Sequence, residues 1–247
     1  MIRSSEQADQ YNKKRKHIRL LALLSVGFVA IIAIVMTILK VETTYFTLIS
    51  FFLLIGLLVI IFILKPKLMF YAMHYRYHML LANSNQPQEV KTKFDSEWID
   101  NLIKLKFQYG AKHDYFDVFY RITKPIERSA FHSNHILEII TVIKDNNLDF
   151  YSDQLNDEYK RLWVEHQAKY RISKQTIIQF KKYDDYNDTI KDDLDRIIAF
   201  NEGSNYFISI NCGYFHNQRT LYYLHSDLFY PNLYYKYAVD MIKQITN

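Results

Sequence analysis

The sequence predicts an α+β protein in two parts: a two-helix transmembrane hairpin, then a cytoplasmic domain whose helices pack on a mixed or mostly antiparallel sheet. Three observations lead there. Two runs of twenty residues carry no charge, Leu20–Leu39 and Tyr45–Leu64. The basic excess is confined to the chain's beginning. The last 150 or so residues switch repeatedly between helical and strand periodicity, over a length sufficient for one core.

Each apolar run would extend about 30 Å as a helix, the thickness of a bilayer's hydrocarbon core. At roughly −0.3 to −0.6 kcal/mol per central Leu, Ile, Phe or Val, insertion of either run is favoured by several kcal/mol. A cleaved signal peptide is the competing reading of the first run. That run exceeds the usual apolar length of such peptides, lacks a small-residue exit and is followed by a second run, so cleavage is not expected. Only Lys40 to Thr44 separate the two, which predicts a tight antiparallel hairpin.

Residues 1–65 hold eight Lys or Arg against three Asp or Glu, and residues 66–247 hold 23 of each sign. The C-terminal part therefore lacks the positive field of a nucleic-acid-binding domain, and nucleic acid is disfavoured as a partner. Lys13, Lys14, Arg15, Lys16 and Arg19 precede the first run; Lys65, Lys67 and Arg76 follow the second. Cations beside a span resist translocation, so both termini are expected in the cytoplasm, in a two-pass cell-membrane protein. With Tyr71 and Tyr75, whose amphipathic rings suit the water–lipid boundary, these cations form the expected membrane interface. The basic residues can set topology alone or also attract anionic lipid. The runs contain no ionisable group except the Tyr45 phenol and no GxxxG pair, so they read as an anchor rather than an ion path. Homo-oligomerisation is left open.

Residues 1–19 thus read as a basic N-terminal segment, 20–64 as the hairpin, 65–94 as a juxtamembrane segment and linker, and 95–247 as the cytoplasmic domain. Leu68–Leu81 either continues the second helix or turns along the surface, and polar residues 82–93, with Pro87, read as linker. His74 and His78 share a helical face at metal-ligand spacing, without a third ligand nearby.

In the domain, Asp95 or Ser96 caps a helix with Trp98, Leu102, Leu105 and Tyr109 on one side, ended by Gly110. Tyr115–Ile122 and His135–Lys144 read as strands around a turn at Pro125. Ser152 caps a helix that gathers Leu155, Tyr159, Leu162 and Trp163. Gln175–Lys181 reads as a strand. A helix after Asn187 carries Ile190, Leu194, Ile197 and Ile198 on one stripe and stops at Gly203. Tyr206–Phe215 and Thr220–Ser226 form an antiparallel hairpin, and a last helix follows Pro231 with Tyr234, Ala238, Met241, Ile242 and Ile245 inward.

His216, His225 and Asp227 are the leading catalytic candidates, because imidazole and carboxylate near one hairpin could form an acid–base pair or a metal site. His132 and His135 with Glu138 form a second group. Cys212 shares an apolar strand face with Tyr206, Ile208, Ile210 and Tyr214 and reads as a core residue, while Ser209, Asn211 and Gly213 opposite could line a groove. Alternation puts one of Tyr222 and Tyr223 inside. Asp184, Asp185 and Asp188 fail the EF-hand pattern and read as helix-start carboxylates. One cysteine excludes an internal disulfide and any multi-thiolate centre. No cofactor is predicted and no family is recognised. The sequence accordingly predicts a membrane-anchored, non-catalytic interaction or scaffold protein binding a membrane-proximal protein or small ligand. A membrane-tethered hydrolase or nuclease-like enzyme using the His/Asp group is the alternative.

Overall fold

The computed structural model describes residues 2–91, 96–124, 135–202 and 205–246. The chain divides into two compact units, Met1–Ala82 and Asn83–Asn247.

The first unit is a helical hairpin of α1 (Ile2–Ile38) and α2 (Thr43–Ala82). Both are long and apolar enough to cross a membrane. At 1.5 Å per residue they reach about 55 and 60 Å, nearly twice the length of either apolar run. Residues 2–19 are therefore helix continuous with the first run, and of the two courses open to Leu68–Leu81 the chain takes the first, as α2 continues to Ala82. Pro66 lies inside α2, where its missing N–H leaves the Phe62 carbonyl without its helical donor. Lys40, at φ 50°, closes α1. The amide of Val41 returns to the Met36 carbonyl at 3.1 Å and that of Lys40 to Thr37 at 3.2 Å, a Schellman turn that reverses the chain.

The second unit contains, among the described residues, β1 (Gln88–Glu89), α3 (Ser96–Lys104), β2 (Gln108–Lys112), β3 (Phe116–Thr123), β4 (His135–Ile143), α4 (Asp153–Tyr170), β5 (Ile172–Tyr183), α5 (Asp188–Leu194), β6 (Ile198–Glu202), β7 (Asn205–Phe215), β8 (Thr220–Tyr223) and α6 (Leu233–Thr246). The sheet is mixed, in the order β1-β8-β7-β5-β4-β3-β2, with β6 also paired to β7. β4, β5 and β7 run parallel, and every other pairing is antiparallel. The connection through α4 allows the parallel step that a short turn could not make.

Strand alternation sorts the sheet into two covered faces. Leu137, Ile139, Ile143, Ile177, Phe215 and Tyr222 pack with Leu155, Tyr159 and Leu162 of α4 and Leu194 of α5. Ile140, Ile178, Phe180, Ile208, Ile210 and Cys212 are buried on the other face, where Trp98 of α3 meets Phe180 edge-on at 4.3 Å. Ala238, Met241, Ile242 and Ile245 of α6 are buried as the periodicity predicts. Gly213 lies close under α5: a Cβ there would stand 2.5 Å from Leu194 Cδ1, so the leucine would have to shift.

Three expectations are corrected. The helix that was to run to Gly110 stops at Lys104. Lys106 takes the left-handed conformation (φ 67°), and the Phe107 amide returns to the Leu102 carbonyl at 3.0 Å, so Tyr109 and Gly110 fall in β2. The helix after Asn187 ends at Leu194, and Ile198 belongs to β6. On β7, β8 covers only Cys212–Phe215, which leaves the first half of the same edge for β6 to cover. The polar stretch read as linker contributes β1, paired with Thr220 and Leu221. The turn at Pro125, Asp95 and Gly203 lie outside the described residues.

Candidate functional site

His225 and Asp227 come together, but through a residue far away in sequence. The Asn85 side-chain amide lies 3.2 Å from His225 Nε2 and donates to Asp227 Oδ2 at 2.7 Å. The Asn85 backbone amide donates to the His225 carbonyl at 2.9 Å. Nδ1 of His225 lies 2.9 Å from the Tyr223 carbonyl, so it carries the proton, and Nε2 accepts. The imidazole, 1% exposed, stacks on the Tyr223 ring at 4.2 Å. Burial holds its pKa below the ordinary value, and the Lys243 charge acts in the same sense. Hydrogen bonds from Asn85 and then Lys243 hold the Asp227 carboxyl below its ordinary value.

His216 is not part of this cluster. It follows β7 in an exposed turn, its amide bonded to the Tyr183 carbonyl at 2.9 Å. The pairings Phe215↔Thr220 and Cys212↔Tyr223 put the whole of β8 between the two histidines, about 15–20 Å at 3.3 Å per residue. In the described geometry both ring nitrogens of His225 are already engaged and the ring is shielded from water. The arrangement ties Asn85 to the segment after β8 and, through Asp227 and Lys243, to α6.

The tie makes a checkable expectation about pH. A histidine whose folded pKa lies below its unfolded value binds more protons when unfolded. Stability is then fully present above the unfolded value of about 6.5 and is lost as pH falls below it. Thermal melts between about pH 8 and pH 5.5 should show wild type losing more stability than His225→Gln over that interval. Asn85→Ala should cost about 1–3 kcal/mol at neutral pH, because it strips partners from a buried ring and a carboxylate.

The second candidate group is divided by the sheet. His135 and Glu138 stand on opposite faces of β4. His135 Nδ1 lies 2.8 Å from the Tyr170 carbonyl, while Glu138 takes 2.5 Å bonds from Arg121 Nε, Thr123 and Tyr237. His132 lies outside the described residues. The face proposed as a groove is roofed by α4 and α5. Ser209 and Asn211 are 4% and 0% exposed and belong to a buried chain in which Tyr159 joins Thr141 to Gln179, and Gln179 donates to both. Cys212 is fully buried, which pushes its thiol pKa up, away from reactive thiolate. Tyr222 and Tyr223 are both inside, since β8 is covered on each face.

In the hairpin unit, Tyr11 stacks against His74 at 4.9 Å and His78 at 5.3 Å. A phenol ring thus occupies the histidine face read as a metal spacing. Lys14 lies 5.7 Å from the Tyr71 ring and 5.9 Å from Tyr11, and the Arg15 guanidinium 4.4 Å from Tyr75. Lys13, Lys16, Arg19, Lys65, Lys67 and Arg76 are exposed. Sequence reasoning missed Asn85, Lys243 and Tyr11, each joined to its partners only by the fold. Comparison with protein-family models, curated proteins and solved structures returned no match.

Proposed function

We propose that this chain is a membrane-anchored, non-catalytic interaction protein. In this reading residues 20–39 and 45–64 cross the bilayer, both termini are cytoplasmic, and the unit beginning at Asn83 binds a membrane-proximal protein or small ligand at the inner face. One observation carries it: the apolar surface of the hairpin is uncovered. Leu23 is 70% exposed and Phe62 81%, and only 6% and 0% of the most apolar windows of the two helices are buried. A core helix of a water-soluble protein would bury that surface, whereas lipid covers it without further protein. The cations beside both runs support cytoplasmic termini.

Anchoring assists binding by confining the unit near its partners, which raises effective concentration without new contacts. The test is capture from gently solubilised membranes, comparing the intact chain with one whose residues 20–64 are replaced by a polar linker. A stoichiometric partner should be recovered with the intact chain and lost or strongly reduced without the hairpin. Repeated recovery of no partner, or equal recovery by both, contradicts the reading.

A further inference from the structure

We infer that the end of the hairpin bearing both cation clusters is a binding site for anionic phospholipid headgroups, with Lys14 and Arg15 as its principal phosphate ligands. The inference rests on the membrane reading above and specifies which lipids the anchor selects.

The antiparallel pairing brings the two clusters to one level. Arg19 is nineteen residues before the end of α1 at Ile38, and Lys65 is twenty-two after the start of α2 at Thr43, a difference of about 5 Å along the axis. The contacts of Tyr11 with Tyr71, His74 and His78, and of Arg15 with Tyr75, show residues 11–15 alongside 71–78. Lys13, Lys14, Arg15, Lys16, Arg19, Lys65 and Lys67 therefore surround the two helices directly beyond the uncharged slab, with Arg76 about 18 Å from it along α2. Residues 10–19 and 65–82 contain no Asp or Glu, and among the described residues none of the eight cations has a carboxylate within 4 Å.

Topology alone needs only a charge excess in a flanking segment. Here two of the cations are also held on aromatic faces inside continuous helices, so less side-chain freedom is lost when a phosphate binds. Residues 13–19 fall within about 10 Å of the slab, in the headgroup layer and about a Debye length from the surface. The Arg15 guanidinium donates to Asn12 Oδ1 at 2.7 Å through one nitrogen and keeps its other terminal nitrogen for a phosphate oxygen, and the adjoining apolar run meets acyl chains. Position at the slab's edge favours lipid over a soluble polyanion.

The test is native mass spectrometry of the full chain released from neutral detergent, counting phosphatidylglycerol and phosphatidylcholine bound per chain. Separate arms add inorganic phosphate and a short single-stranded oligonucleotide as competitors. Phosphatidylglycerol should be retained about tenfold more than phosphatidylcholine. Lys14→Gln with Arg15→Gln should bring that preference down to near parity, since each cation contributes about fivefold, with helicity unchanged. Tyr75→Leu should weaken it, whereas Tyr75→Phe, which keeps the ring, should not. Equal retention of the two lipids, or an unchanged preference in the double variant, overturns the proposal while leaving the anchor standing. Displacement by inorganic phosphate at equal concentration identifies a free-phosphate site, and displacement by the oligonucleotide a nucleic-acid surface; either overturns it. Extraction of the wild-type chain from membranes by alkaline carbonate defeats the anchor and this site together.

Discussion

Replacing Arg121 with leucine should destabilise the second unit by about 3–5 kcal/mol, the largest effect expected of any single substitution considered. Glu138, whose side chain is 0% exposed, accepts from Arg121 Nε at 2.5 Å and from two neutral hydroxyls, Thr123 and Tyr237. The Tyr237 pKa is pushed up to about 12 by burial and by the Glu138 charge, so the phenol stays a donor. Without the guanidinium, a carboxylate remains in the interior with no countercharge. Arg121 also donates to the Leu105 carbonyl at 2.6 Å and covers the Phe107 ring at 4.5 Å, so β3 loses its hold on the end of α3 as well. Both tryptophans, Trp98 and Trp163, lie in this unit, so their fluorescence during denaturation of the intact chain reports on it alone. The midpoint should fall by about 6–20 °C at roughly 2–4 °C per kcal/mol. Arg121→Leu combined with Glu138→Leu should recover most of the loss, because the cost lies in the unpaired charge rather than in the missing pair. A loss below about 1 kcal/mol in the single variant would show that water reaches Glu138.

Asn211→Leu should cost about 2–4 kcal/mol, the second largest effect. Asn211 is fully buried in β7. Its amide nitrogen lies 3.0 Å from the Tyr151 hydroxyl and 3.2 Å from the Asp193 carbonyl, and its oxygen accepts from Gln179 at 3.2 Å. One side chain thus ties the end of α5 and the start of α4 to the sheet centre. Leucine keeps the branched outline but is larger and answers none of those groups, so each is left short of a partner in a buried layer. The same denaturation measurement reads the cost, and Asn211→Ser should fall between the two. If leucine is tolerated, the buried chain contributes specificity without stability.

Residues that carry a long pattern were legible from sequence. The uncharged runs are long, and β3, β4, β7 and the buried stripes of α4 and α6 repeat a period over many positions. The missed elements lack that property. β1 is two polar residues stabilised by pairing with β8. β6 continues an isoleucine stripe begun in α5 and is a strand because part of the β7 edge is open to it. β2 was hidden by Gly110, a plausible helix stop, when a left-handed Lys106 had already ended the helix. The site was less legible for the same reason. His225 and Asp227 were correctly placed near one hairpin, but Asn85 and Lys243 decide what they do, and no spacing links those positions. His216 was grouped with them by closeness in sequence, although a strand carries them to opposite ends.

The central claim is that uncovered apolar helices hold the chain in a bilayer with its second unit on the cytoplasmic side. Protease protection of a C-terminal epitope in intact cells, compared with opened cells, tests it most directly. The account predicts an epitope that sediments with membranes, survives protease added outside and is digested once the cells are opened. An epitope recovered in the soluble fraction, or cleaved in intact cells, would contradict it.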